Sequence, residues 1–335
     1  MFETTFAVFT AEAVKRELTG VLLSRIMVRA KVELAAAQLV KLTPEDAGKL
    51  SAAIPENAFE SNQDHPVFFC LFKGEDAIAK VNIVVSSITS TFGNGLAAAA
   101  NKADLPQLMS AVCQISKRNN LLTDAPADGA ERTLLIIKPE NFRAPSTRPG
   151  AIIDMLTSLD LQLVGCKVHH MTTNDALEFY GPVQQALRGK LGPKIGAKAL
   201  AAVENEFAFK LSGDAADKLI ETVGNSFADD QFEQIVEFMS GKRPSLVPEA
   251  DRNQPGSATC MVLIFDGVDA VNQIRTILGS TNPAQATGGT IRYDFGTDIM
   301  VNASHASDST ASYERESKIV RVNENEFSSL AAALR

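Results

Sequence analysis

The chain has 335 residues, of which 45% are hydrophobic, so it is long enough for about two domains with substantial cores. Its net charge of -8, with both signs interspersed, argues against a surface that coats nucleic acid. No apolar run is long enough to span a bilayer, and Met1-Phe2-Glu3-Thr4-Thr5 lacks the basic start of a signal peptide. The four cysteines, Cys70, Cys113, Cys166 and Cys260, stand apart, which suits free thiols and a cytoplasmic location.

In chain order, Thr5-Phe6-Ala7-Val8-Phe9-Thr10 predicts a buried strand. Gly20 to Met27 carries a helical pattern, and Val32 to Leu39 predicts a second strand. Thr43-Pro44-Glu45-Asp46 follows, and Val67 to Gly74 predicts a third strand. Ala125-Pro126-Ala127-Asp128-Gly129 is rich in turn formers and predicts a linker. The series then begins again. Thr133 to Lys138 matches Thr5 to Thr10, and a helix after Gly150 matches Gly20 to Met27. Leu161 to Val168 matches the second strand, and Thr172-Thr173-Asn174-Asp175 matches Thr43 to Asp46. Thr259 to Gly267 matches the third strand, placing Ala270 on Ala77 and Arg275 on Asn82. Repeated strand–helix–strand units predict an α+β fold of two ferredoxin-like (βαββαβ) units in tandem, over residues 1–124 and 125–335.

Two stretches break the match. Residues 181–231 exceed the usual loop limit of about 12–15 residues, and within them Ala199 to Phe209 and Asp214 to Val223 predict helices. Residues 242–256, rich in Pro, Asp and Asn, predict a surface loop. Cys166, His169 and His170 cluster without a fourth ligand at metal-site spacing, and so predict a strand end rather than a zinc site.

Phosphoryl transfer needs a nucleophile, cations on the moving oxygens, and small residues where phosphates approach the backbone. The second half supplies all three. Lys138 ends a strand, Arg275 lies on a predicted helix, Thr281 sits in a turn, and Arg292 follows Thr287-Gly288-Gly289-Thr290. His305 lies in Val301-Asn302-Ala303-Ser304-His305-Ala306-Ser307-Asp308, among small residues and hydroxyls that leave room for a large anion. A free imidazole titrates near 6.5, so its neutral form is a competent nucleophile near neutral pH.

These segments resemble nucleoside diphosphate kinases. The family pattern has a strand ending in Lys-Pro, a Leu-Gly-x-Thr-Asn-Pro-Ala turn, a Gly-Thr-Ile-Arg-x-Asp-Phe segment and an Asn-x-x-His-Gly-Ser-Asp motif. Here they stand in that order as Lys138-Pro139, Leu278 to Ala284, Gly289 to Phe295 and Asn302 to Asp308. Outside the insertions the resemblance covers residues 131 to about 320. It implies a ping-pong transfer of the terminal phosphoryl group from a nucleoside triphosphate to a nucleoside diphosphate, through phosphorylated His305. It implies that Lys138, Tyr180, Arg275, Thr281, Arg292 and Asn302 hold phosphates and ribose. Glu316 and Ser307 would orient the imidazole, and Ile299 and Phe232 would clamp the base. Mg²⁺ bridging the phosphates and a homo-oligomer complete the expectation. Departures are Val301, Ala306 in place of the motif glycine, and Gln231 in place of an aromatic. In the first half, Thr10 and Asn82 replace Lys138 and Arg275, which predicts a degenerate copy. The rival expectation is a nucleotide-binding scaffold or sensor of the same fold whose catalysis is impaired.

Overall fold

A computed structural model of the chain describes residues 1–51, 54, 66–120, 122–124 and 127–333. The predicted linker therefore lies partly outside the described residues, at 125 and 126. The first half runs β1 (Phe2–Phe9), α1 (Ala11–Lys15), α2 (Thr19–Ala30), β2 (Glu33–Val40), α3 (Pro44–Ser51), β3 (Val67–Glu75), α4 (Ala77–Phe92), β4 (Ala97–Ala99) and α5 (Leu105–Arg118). The second begins with β5 (Glu131–Ile137), α6 (Arg148–Thr157) and β6 (Gln162–His169). Three helices follow, α7 (Thr173–Lys190), α8 (Gly192–Glu206) and α9 (Gly213–Ser240). It closes with β7 (Cys260–Gly267), α10 (Ala270–Leu278), α11 (Ile291–Phe295), β8 (Ser304–Ala306), α12 (Thr310–Ile319) and α13 (Phe327–Ala333).

The two four-stranded sheets have the orders β2-β3-β1-β4 and β6-β7-β5-β8, with antiparallel pairing. Each order is that of a ferredoxin-like βαββαβ unit, so the predicted α+β tandem is what the chain forms. The repeat extends to irregularities. A register shift interrupts β2 between Leu34 and Ala36, and another interrupts β6 between Leu163 and Gly165. Asp76 and Asp269, which precede α4 and α10, both take left-handed backbone. The two matched segments, Thr43 to Asp46 and Thr172 to Asp175, both close reciprocal caps. Thr43 and Asp46 exchange backbone–side-chain hydrogen bonds of 3.0 and 3.2 Å, and Thr172 and Asp175 exchange bonds of 3.1 and 3.0 Å.

The chain divides into two compact units, residues 1–169 with 260–335, and residues 170–259. The first unit contains both sheets. Strand β1 is buried on both faces, so its apolar residues split by alternation. Ala7 and Phe9 enter a core shared with Leu22, Ile26, Leu39, Ile152, Leu156, Val168 and Phe265. Phe6 and Val8 enter a second core with Leu71, Leu108 and Val112. The shared core exists because equivalent elements meet, β2 with β6 and α2 with α6. At the helix crossing, a Cβ on Gly20 would lie 2.4 Å from the Gly150 carbonyl oxygen, and one on Gly150 would lie 2.3 Å from the Gly20 carbonyl oxygen. Only glycine permits backbones this close.

The end of the chain crosses back to the first half. Helix α13 packs against α5 and β2. Phe327, 2% exposed, joins the second core with its ring 6.1 Å from that of Phe69. Just before it, the Asn325 amide donates to the Ser116 carbonyl, to Ser116 Oγ at 3.0 Å and to the Asn119 carbonyl at 3.3 Å. Glu326 accepts from Lys167 at 2.7 Å and meets His169 Nδ1 at 2.8 Å. Despite partial burial, these partners hold its carboxyl down at about 2.

The second unit holds α7 to α9. Helix α7 runs through Pro182 to Lys190, past the expected start of the insertion at Gly181. Helix α9 runs on to Ser240 and includes both Gln231 and Phe232. Gly196 and Gly224 let α8 and α9 approach closely, since a Cβ on either would lie 2.2 Å from a carbonyl oxygen of the other helix. Among the described residues no helix is long and apolar enough to cross a membrane.

Candidate active site

Strand β8 is three residues long and lies on the edge of β5, with His305 opposite Ile136. The His305 side chain is 25% exposed, whereas that of Glu316, on α12, is 4% exposed. Nε2 of His305 lies 3.0 Å from Glu316 Oε2, and Ser307 Oγ donates to the same oxygen at 2.8 Å. Arg315 donates to the other carboxylate oxygen at 3.2 Å. A carboxylate only accepts, so a neutral ring carries its proton on Nε2 and its lone pair on Nδ1. Helix α12 can place Glu316 here because Ser309 caps its start, accepting from the Ser312 N–H at 3.1 Å.

Cations gather beside this imidazole. Lys138 leaves the end of β5 with its Nζ buried, donating to the Met300 carbonyl at 2.7 Å and to Asn302 Oδ1 at 2.8 Å. Burial pulls its ammonium down to about 8, with Arg292 adding to the effect while Glu140 and Asp298 oppose it. Arg292, on α11, donates to the Gly279 carbonyl at 3.0 Å and to the Ser304 carbonyl at 3.2 Å. Its Nε is buried with no hydrogen-bond partner among the described residues. Burial, and then the neighbouring Arg275, bring Arg292 down to about 10. A guanidinium held beside a second one, and with an unspent donor, suits a multiply charged anion. Arg275 is exposed on α10, where its charge also helps hold the Asp308 carboxyl below its ordinary range, after the Ser312 and Ser309 hydroxyls.

Asn302 ties the loops together. Its amide donates to the Thr281 and Ile299 carbonyls, both at 3.0 Å, while its oxygen receives Lys138. Thr281 is exposed, and Ile299 is 64% exposed at the rim. Next to Asn302, Ala303 takes left-handed backbone at φ 69°, and the Ser304 N–H closes a tight turn onto the Asn302 carbonyl at 2.8 Å. Glu140 and Asn141, which the motif comparison passes over, hold this turn. Glu140 Oε1 accepts from the Ala303 N–H at 2.8 Å, and the Asn141 amide donates to the Ala303 carbonyl at 2.9 Å. The signal available in the sequence was their position directly after Lys138-Pro139.

His305, Lys138, Glu316, Ser307, Arg275, Thr281, Arg292, Ile299 and Asn302 all belong to the first unit. Tyr180 and Phe232 belong to the second, where both are buried. Tyr180 lies beside Phe179, with ring centroids 5.0 Å apart, and Phe232 lines a hollow between α7 and α9 with Leu177 and Arg243.

The first sheet offers a direct comparison. Ala98 lies opposite Val8 as His305 lies opposite Ile136. The Ala100 N–H bonds the Phe6 carbonyl as the Ser307 N–H bonds the Leu134 carbonyl, so Ala100 replaces Ser307. Thr10, in the place of Lys138, turns its hydroxyl to the Gly95 carbonyl at 2.6 Å. Asn82, in the place of Arg275, spends its amide on the Ile78 and Ala100 carbonyls, both at 2.9 Å.

Residues 227–325 match the family described as nucleoside diphosphate kinase. The chain is similar to the nucleoside diphosphate kinase of Archaeoglobus fulgidus, 48% identical over 60 residues, which cover 18% of this chain and 40% of that protein. It is also similar to that of Staphylococcus aureus strain JH9, 46% identical over 76 residues, covering 23% and 50%. The matches thus span half, or less, of the length of these curated relatives. Among solved structures, the Aquifex aeolicus nucleoside diphosphate kinase aligns with a TM-score of 0.36 and 25% identity, over 57% of this chain and 94% of that one.

Proposed function

We propose that this chain, whose residues 227–325 match the nucleoside diphosphate kinase family, moves the terminal phosphoryl group of a nucleoside triphosphate to a nucleoside diphosphate through His305. The observation that carries this reading is the 3.0 Å contact between His305 Nε2 and the buried Glu316 carboxylate, beside Lys138, Arg275 and Arg292.

The steps follow from the ring's tautomer. Nδ1 attacks the terminal phosphorus, a nitrogen–phosphorus bond forms, and the bond to the bridging oxygen breaks. The electron pair of that bond leaves on the diphosphate. The ring becomes cationic, and Glu316 stabilises it through Nε2–H without taking the proton. A terminal oxygen of the second diphosphate then attacks phosphorus, and the pair returns to Nδ1. Lys138, Arg275 and Arg292 would stabilise the charge on the transferring oxygens. The hydroxyl of Thr281 would complete the phosphate and ribose contacts, with Asn302 holding Lys138 and the Thr281 loop in place and Ile299 against the base.

Mg²⁺ fits this reading as part of the substrate. Among the described residues no cluster of three or more His, Cys, Asp and Glu side chains could hold a metal ion. The charged groups nearest the proposed phosphates are mainly cationic, so the ion would ride on the phosphates, drawing charge from them. The test is incubation with ATP labelled at its terminal phosphate. Label on His305 that a nucleoside diphosphate removes supports the reading. Nucleotide binding without labelled protein would instead favour a sensor of the same fold.

A further inference from the structure

We propose that Glu140 is a positioning residue of this site, and that with Asn141 it holds the left-handed Ala303 turn that sets Asn302 and His305 in their relative places. The inference rests on the phosphotransfer reading and adds to it a residue outside the motifs. Ala303 is wholly buried and takes a backbone conformation that side chains other than glycine rarely adopt. Such a conformation persists only where the surroundings over-determine it. Here they do so from both sides of one residue. The Glu140 carboxylate takes the Ala303 N–H at 2.8 Å. The Ala303 carbonyl receives the Asn141 amide and the Lys138 N–H, both at 2.9 Å. Asn141 is itself fixed, because its oxygen accepts from Arg148 Nε at 3.0 Å. One polar dipeptide thus grips the single strained residue between Asn302, which holds Lys138, and the imidazole of His305.

Glu140 acts on charge as well. Its Oε2 is shielded from solvent and has no hydrogen-bond partner among the described residues. Lys138, two residues away, faces Glu140 and Asp298 as negative groups and Arg292 as a positive one, with Arg275 behind Arg292. Glu140 is therefore the stronger of the two charges that keep a buried ammonium protonated. Removing its charge while keeping its shape should let Lys138 deprotonate at lower pH.

The full-length protein decides the matter through kcat and the pH profile of kcat/KM, with ATP as donor and GDP as acceptor. The profile of kcat/KM reports groups of the free enzyme. Glu140→Gln keeps an oxygen for the Ala303 N–H and loses the charge, so its alkaline limb should move down by about one pH unit. Glu140→Asp keeps the charge and withdraws the oxygen, so its limb should stay while kcat falls about tenfold or more through misplacement of the histidine. A limb that stays put in Glu140→Gln, or wild-type kcat in Glu140→Asp, overturns the proposal while leaving the phosphotransfer reading intact. Should Glu140→Gln not fold, turnover of Glu140→Asp decides alone. Failure of the wild type to take up label from ATP would remove that reading, and this inference with it.

Discussion

Ala98 and His305 occupy the same place in two sheets of the same topology, each on the three-residue edge strand opposite the central strand of its unit. The exchange of imidazole for methyl is accompanied by others. Ala100 stands for Ser307, Thr10 for Lys138 and Asn82 for Arg275, and the last two spend their polar atoms on nearby backbone carbonyls. The first copy has thus kept its fold while its polar atoms serve local structure.

Restoring the histidine alone should therefore not restore chemistry. Losing one preorganised charge donor costs roughly 3 kcal/mol, about a hundredfold in rate, and the first half lacks two cations and a serine. In a His305→Ala background, Ala98→His should take up no label from ATP above the His305→Ala control. Acid-labile label on the introduced histidine would refute the assignment of a silent half.

Glu316 should act on turnover more than on binding, because it touches the ring at 3.0 Å and lies on the side away from Nδ1. Glu316→Ala should lower kcat by about a hundredfold, within the range for losing one preorganised electrostatic partner, while KM changes a few fold. Steady-state kinetics with saturating diphosphate measures this. A wild-type kcat would show that the carboxylate does not orient the ring.

The alkaline limb follows from Lys138. Burial brings its ammonium to about 8, whereas Arg292 stays protonated up to about 10. Below pH 8 both carry charge for the phosphates, and above it the lysine loses its proton first. So kcat/KM should fall through pH 8 to 9, approaching tenfold per pH unit. In Lys138→Arg whatever activity remains should lack that fall, since arginine stays charged. A wild-type profile level to about pH 9.5 would contradict the buried-lysine account.

Phe327 seals the core of the first half from the far end of the chain. Phe327→Ala should destabilise the protein by about 3–5 kcal/mol, as expected for emptying an aromatic site. Urea unfolding monitored at several wavelengths tests it. A loss under about 1 kcal/mol would mean that the crossing segment is not part of the core.

Much of this was legible in the sequence because its causes are local. The apolar runs of β1 and β5, the match of Thr43–Asp46 to Thr172–Asp175, and the strand matching Val67–Gly74 to Thr259–Gly267 are set by residues a few positions apart. The meeting of His305, Glu316, Lys138 and Arg292 was legible only through motif order, since strand pairing brings residues 138 and 302 together across the sequence. Ala98 was invisible, because a run of alanines gives no alternation to mark β4. The return of α13 to the first half was invisible for a different reason. Asn325 and Ser116 are 209 positions apart, and nothing in either segment names the other. The insertion expected from Gly181 begins inside α7, which continues through Pro182, since a proline in mid-helix removes one backbone donor without forcing the chain to end there.

The most direct test is to mix the purified protein with ATP labelled at the terminal phosphate, locate the label, and then add a nucleoside diphosphate. The account predicts acid-labile label on His305 that passes to the diphosphate, and none on His305→Ala. Phosphoryl transfer undiminished in His305→Ala, or a wild type that binds ATP and never becomes labelled, would contradict it.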